Sequence, residues 1–287
     1  LGKSDELFIY AFVSLKMVAY YGNYIMIISK LSLFFSSLFD GINAGVGNLV
    51  AEGNKKNTMK VFWEMMFARH FIAGCMVCFT YFLLEPFIAN WLGTKYILDH
   101  SILVLLLIYQ YMSGSRGAVD MFNHAYGLYG DVWAAWAELT INISITLSCG
   151  FFYGIEGIIL GKVISVAIII VFWKPMYLFK SGFNLPYTSY WFGAIRHYII
   201  FIIAFFITYI INNTLTINPY NGYSSLIKYG VVTAITFLTT YIVLSYYFTS
   251  GARTFAARFL NNKLMNKERL RSVSYTHLRA HETTLHL

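Results

Sequence analysis

The 287-residue chain is 58% apolar and 19% aromatic but only 12% charged, about half the roughly 25% charge of a soluble domain, which excludes a surface that faces water throughout. Its net charge of +8 is dispersed in small groups, so it reads as a signal of membrane orientation and not as a nucleic-acid-binding face. The length divides into spans of roughly 20 apolar residues joined by short loops, and the expected fold class is all-α, a polytopic transmembrane helix bundle.

In chain order, Leu7 to Phe12 reads as the end of a truncated spanning helix. Val18 to Val50 follows as one long span, with Lys30 and Asp40 expected to snorkel. It ends in Gly41, Ala44, Gly45 and Gly47, small residues that allow another helix close approach. Past the polar loop Glu52 to Asn57, the span Val61 to Ile88 opens with Glu64, Arg69 and His70 and is closed by Pro86 and the Trp91-Leu92-Gly93 turn. Ile97 to Phe122 comes next. After the connection Gly127 to Asp131, Val132 to Tyr153 and Ile155 to Phe179 form two further spans. In the second of these, Gly157, Gly161 and Ser165 recur every four residues, a pattern suited to tight helix contact. The polar segment Lys180 to Tyr190 leads to Phe192 to Ile211 and Leu226 to Phe248, two plainer spans expected to face lipid or shield the bundle.

Cytoplasmic loops carry the excess of Lys and Arg, and one threading satisfies the chain. Lys55, Lys56 and Lys60, then Lys174, Lys180 and Arg196, then Arg253, Arg258, Lys263, Lys267, Arg269 and Arg271 all fall on one side, which is expected to be cytoplasmic. The chain starts at Leu without a signal peptide and reads as an internal fragment of something longer. Val273 to Thr283 resembles the translated read-through of a sequencing adapter at the end of a metagenomic contig, so 273–287, with its three histidines, is set aside as non-native.

The polar content concentrates between Tyr109 and Ile145. Ionisable groups at bilayer depth cost roughly 2.5–3.5 kcal/mol each, so those that persist face a bundle interior, a water-filled path or each other. Arg116 and Asp120 are four apart, as are Glu138 and Asn142, which puts each pair on one helix face. Either the four serve a transported ligand, or Arg116 only pairs with Asp120 while Glu138 and Asn142 knit helices together. Cys75 and Cys78 form a C-x-x-C at mid-span with no second pair, and read as small apolar fillers, as does Cys149. No nucleophile elbow, phosphate loop, metal-ligand spacing or aspartate-rich pair is present, and Asp131 stands alone in its loop. A transporter or structural membrane protein is expected, with no enzyme activity, cofactor or metal.

Gly47-Asn48-Leu49-Val50-Ala51 before a basic loop, Phe87-Ile88-Ala89-Asn90-Trp91-Leu92-Gly93, Arg116-Gly117-Ala118-Val119-Asp120 and Tyr126-Gly127-Leu128-Tyr129 resemble polysaccharide flippases of the multidrug/oligosaccharidyl-lipid/polysaccharide exporter superfamily. Glu138, Asn142 and the run Gly154 to Gly161 continue the resemblance, which covers about Asp5 to Phe183.

The resemblance implies an exporter of two six-helix lobes around a central cavity, often with two further helices. It would carry a lipid-linked oligosaccharide, usually on undecaprenyl diphosphate, from the inner to the outer leaflet of the bacterial cytoplasmic membrane. On that pattern 1–183 is the second lobe with its first helix truncated, 184–252 two additional transmembrane helices and 253–272 a basic cytoplasmic tail, with the first lobe missing. Arg116 and Arg69 are the candidate phosphate contacts and Asn142 a sugar contact. Asp120 and Glu138 are their charge partners or carriers of a coupling ion, H+ or Na+. Besides the glycan and membrane lipid, no nucleic-acid partner is expected. The alternatives are a drug or cation exporter of the same superfamily and a membrane glycosyltransferase or polymerase.

Overall fold

The computed structural model describes residues 4–258, apart from the side chains of Asn43 and Ala44. Lys263, Lys267, Arg269 and Arg271 of the expected tail, and the adapter-like 273–287, lie outside the described residues. Among the described residues every regular element is helical. Five helical segments are long and apolar enough to cross a membrane: Lys55–Trp91, His100–Ala125, Val132–Phe183, Thr188–Thr214 and Tyr223–Phe248. The chain is an all-α bundle of a membrane protein.

Helix α1 (Ser4–Phe12) leads to α2 (Leu15–Ser37), where Ser14 caps the first turn by accepting the Met17 N–H at 3.3 Å. The single long span expected from Val18 to Val50 is instead two helices. The chain leaves α2 at Leu38, turns through Asp40 and Gly41, and restarts as α3 (Ile42–Ala51). Four serines, three tyrosines and Lys30 make α2 too polar to count among the five long apolar helices. The turn carries Phe39 into the bundle, 4% exposed.

Gly53, at φ +73, turns the chain into α4 (Lys55–Trp91), and the Asn54 side chain accepts the Asn57 N–H at 3.1 Å as its cap. This helix has 37 residues, which at 1.5 Å per residue is about 55 Å, well beyond the roughly 30 Å of hydrocarbon. Pro86 lies inside α4 and does not close it. Near the end of the helix the Asn90 side-chain amide donates to the Pro86 carbonyl at 2.8 Å, and Gly93 at φ +105 makes the actual stop. Next, α5 (His100–Ser115) and α6 (Gly117–Ala125) meet at Arg116, whose backbone is itself right-handed helical at φ −62 and ψ −22, so the expected Ile97 to Phe122 span is one helical segment with a one-residue turn at its most polar point.

Helix α7 (Val132–Val166) changes direction at Gly154, with φ 57 and ψ −129, a region that L side chains enter only with strain. Thr146 on one arm donates to the Ile158 carbonyl on the other. A Cβ at Gly157 would run into the Cys149 carbonyl, and one at Gly161 would sit 2.8 Å from the Asn142 carbonyl. The small-residue face thus lets the second arm lie against the first. Two π-helical stretches, Ala167–Trp173 and Leu178–Phe183, flank the short α8 (Lys174–Tyr177). Then α9 (Thr188–Thr214) and α10 (Tyr223–Phe248) pack on α4 through Cys75, Cys78, Phe82, Ile200, Ala204, Phe237 and Tyr241, with their outer faces apolar and exposed. Cys75 and Cys78 are buried free thiols, whereas Cys149 is only half-buried.

Contacts sort the connections into two ends. At one, Asn90 holds the α9–α10 loop by donating to the Pro219 carbonyl and accepting the Gly222 N–H, both at 3.0 Å, while Ser101 donates to Glu156 at 2.6 Å. At the other, Trp63 meets Gly193 and Gly251, and Lys174 reaches Asp131 at 2.8 Å. The turns rich in Lys and Arg collect at this second end. The segment after Thr249 is helical over 250–258, and Arg258 pairs with the fully buried Glu64 at 2.9 Å. The start of the expected tail is therefore docked on the bundle.

Candidate functional site

A cavity of about 1060 Å³ lies among α2, α4, α5 and α6, reaching the second arm of α7 at Lys162. Arg116, where α5 meets α6, lines it, and α6 presents Asp120 one turn later. Their ion pair measures 2.9 Å from Nε to Oδ2, with the side chains 38% and 29% exposed. Behind them α6 is anchored by Phe122, which meets Phe62 and Phe183 edge-on or tilted at 5.3 and 5.9 Å between ring centroids.

Arg69 sits differently. Its guanidinium carbon is 3.8 Å from the centre of the Phe39 ring, delivered by the α2–α3 turn. The other side is closed by Gly117, where a Cβ would approach that carbon to 2.7 Å. Both the turn and the glycine are thus needed to seat the side chain. Among the described residues Arg69 makes no ion pair, its Nε is buried without a hydrogen-bond partner, and Asp40 and Asp120 are its nearby opposite charges. An unpartnered guanidinium on a cavity wall holds donor capacity ready for an anion with planar oxygens.

Hydroxyl and amide groups fill out the wall. Ser29, Ser32 and Ser36 are spaced three and four apart on α2 and all line the cavity, consistent with one helix face. Each spends its proton on a backbone carbonyl, to Met26, Ile28 and Leu33 respectively, leaving lone pairs for incoming donors. Gln110 donates to Ser32 at 3.0 Å, and Ser113 and His124 complete the polar lining.

Of the residues singled out in the sequence, Arg69, Arg116 and Asp120 share this cavity, whereas Glu138 and Asn142 are not among its lining residues. Glu138 is half-buried on α7, with Arg116, Asp120 and Lys174 as its charged neighbours and no ion pair among the described residues. Asn142 is buried inside the α7 hairpin, where its Oδ1 accepts from Thr146 at 3.1 Å opposite Gly161.

One constellation escaped the sequence reading. Lys162, 6% exposed, lies on the cavity wall and pairs with Asp5 of α1, itself 3% exposed. The same Asp5 oxygen accepts from the Tyr21 hydroxyl at 2.8 Å, and the ammonium lies 5.4 Å from the centre of the Tyr109 ring. A lysine in the middle of the Ile155 to Phe179 run was the available signal, since a buried ammonium requires a counter-charge. The partner, 157 positions away, had none. In comparisons with family models, curated proteins and solved structures, the chain matches none.

Proposed function

We propose that this protein takes part in moving a lipid-linked oligosaccharide of the undecaprenyl-diphosphate type across a bacterial cytoplasmic membrane for surface polysaccharide assembly, by alternating access in a full-length exporter. The observation that carries the reading is the unpartnered Arg69 on the wall of a large cavity that also holds Arg116 and Lys162. A diphosphate and a hydrated glycan cannot enter hydrocarbon unaided, so a carrier must supply cations to the phosphates and hydroxyl or amide partners to the sugars. Of the three cations on the cavity wall, Arg116 is paired with Asp120 and Lys162 with Asp5, which leaves Arg69 without an ion pair among the described residues, with Ser29, Ser32, Ser36, Ser113 and Gln110 among the neutral polar groups.

The unpaired Arg69 speaks against an organic cation as cargo, because an uncompensated guanidinium on the wall repels it. In this reading Arg69 is the primary phosphate contact. Arg116, already engaged by Asp120, contributes by exchanging that partner for the substrate. The facing wall would come from the first lobe that the family resemblance implies, with one lobe rocking against the other.

The test is reconstitution of the whole gene product in vesicles carrying a fluorescent undecaprenyl-diphosphate oligosaccharide in one leaflet. Arg69→Gln should lower translocation roughly tenfold or more, the loss of one charge-assisted contact, with the amount and thermal stability of the inserted protein unchanged. Translocation of an organic cation that is indifferent to Arg69→Gln would point to the drug-exporter reading instead.

A further inference from the structure

At the basic end of the bundle, away from the large cavity, a second hollow of about 200 Å³ lies between α4, α9 and the start of the 250–258 helix. Its wall consists of Trp63, Phe192, Gly193, Arg196, His197, Thr249, Ser250 and Gly251, and the charge chemistry comes from four of these. Arg196 is exposed and makes no ion pair among the described residues. His197 is 4% exposed and stacked flat on His70, at 5.0 Å between centroids and 11° between planes. Its ring nitrogens have no hydrogen-bond partner among the described residues, although the residue borders the hollow.

Thr249 caps the 250–258 helix by accepting the Ala252 N–H at 3.3 Å. The first N–H groups of that helix, on Ser250 and Gly251, have no acceptor within it, and both residues line the hollow. A guanidinium, an unpartnered imidazole and a helix N-terminus converging on one small space form a site for a phosphate oxyanion. The unpartnered, buried His197 is what separates this from an ordinary helix start.

We infer that this hollow binds the phosphate of an anionic membrane lipid at the basic end of the bundle, independently of the transport reading above. A free phosphate offers the same oxyanion, but two features favour the lipid. Phe192, 75% exposed, forms the outer lip beside the apolar flank of α9, where the glycerol and acyl chains of a lipid would lie. The site also sits at the end where Lys and Arg collect, and basic pockets between membrane helices on that side are suited to anionic headgroups. A bound lipid would clamp α4, α9 and the 250–258 helix together.

The whole protein is to be transferred into micelles doped with phosphatidylglycerol or, in parallel, phosphatidylcholine, and retained lipid counted by native mass spectrometry. Phosphatidylglycerol should be retained roughly fivefold or more over phosphatidylcholine. Arg196→Gln should abolish the preference, Arg196→Lys should keep most of it, and His197→Phe, which preserves the stack on His70, should weaken it. Because Arg196 is exposed and unpaired, its variants should melt at the wild-type temperature in phosphatidylcholine. No preference in the wild type, or an unchanged preference in Arg196→Gln, would overturn the inference. So would loss of the retained phosphatidylglycerol to excess inorganic phosphate, since the site would then be one for the free ion.

Discussion

Two ion pairs border the same cavity and differ in almost every physical respect. Arg116–Asp120 lies within one helical turn, is about one-third exposed, and leaves both groups in contact with the cavity. Asp5–Lys162 joins α1 to the second arm of α7 across 157 positions of sequence, is almost fully buried, and is held by Tyr21 as well. A pair next to water gains little and can exchange partners, whereas a buried pair loses heavily if one member is removed. The first is therefore a group available to a ligand and the second a clasp that fixes α1 to the α7 hairpin. The contrast teaches that charge at membrane depth is not by itself a mark of the site.

The largest effect should follow from opening the clasp. Lys162→Met leaves Asp5 buried without its cation and should destabilise the protein by about 3–5 kcal/mol, read as loss of monodisperse protein or a lower melting temperature. Asp5→Asn with Lys162→Met removes both charges and should restore most of that loss. If the single variant melts like wild type, the two pairs are equivalent and the contrast fails.

The second expected effect is steric and lies in the same hairpin. Gly161→Leu should cost about 1–3 kcal/mol by overpacking, because the Thr146 hydroxyl and the Asn142 carbonyl occupy the space of its side chain. A comparable loss is expected from Asn90→Ala, at about 1–3 kcal/mol, since it strands the Gly222 N–H and the Pro219 carbonyl. That variant should also make the α9–α10 loop cleavable by added protease, while Gly161→Leu should not.

These differences also mark what the sequence could disclose. Helix class, the spans from α4 onward, the reversal at Gly154 and the small-residue face at Gly157 and Gly161 follow from local composition and period, which is all a single sequence offers. The pairing of Arg116 with Asp120 is legible because it is local. The turn at Phe39 is not, since its packing joins distant segments, with Arg69 seated between that turn and Gly117. For the same reason the Lys174 partner of Asp131 is not legible, and of the two readings open for Asn142, a sugar contact or a group that knits helices together, the hydrogen bond from Thr146 inside the hairpin fits the second.

The smallest effect on stability should come from the exposed pair, and it separates the two regions most sharply. An i,i+4 pair of this exposure contributes about 0.3–0.5 kcal/mol, so Arg116→Ala, Asp120→Ala and the double variant should all melt close to wild type. Under the proposed function, translocation of a lipid-linked oligosaccharide should respond differently. If Arg116 exchanges Asp120 for a phosphate, Asp120→Ala frees the guanidinium and keeps translocation near or above wild type, whereas Arg116→Ala lowers it. The double variant then stays as low as Arg116→Ala, because restoring charge balance does not restore the contact. Arg116→Lys should fall between, since an ammonium keeps the charge but loses the planar two-point grip on phosphate oxygens. Wild-type translocation by the double variant, at wild-type protein level, would reduce Arg116–Asp120 to the same structural role as Asp5–Lys162 and leave Arg69 as the one proposed phosphate contact on this wall.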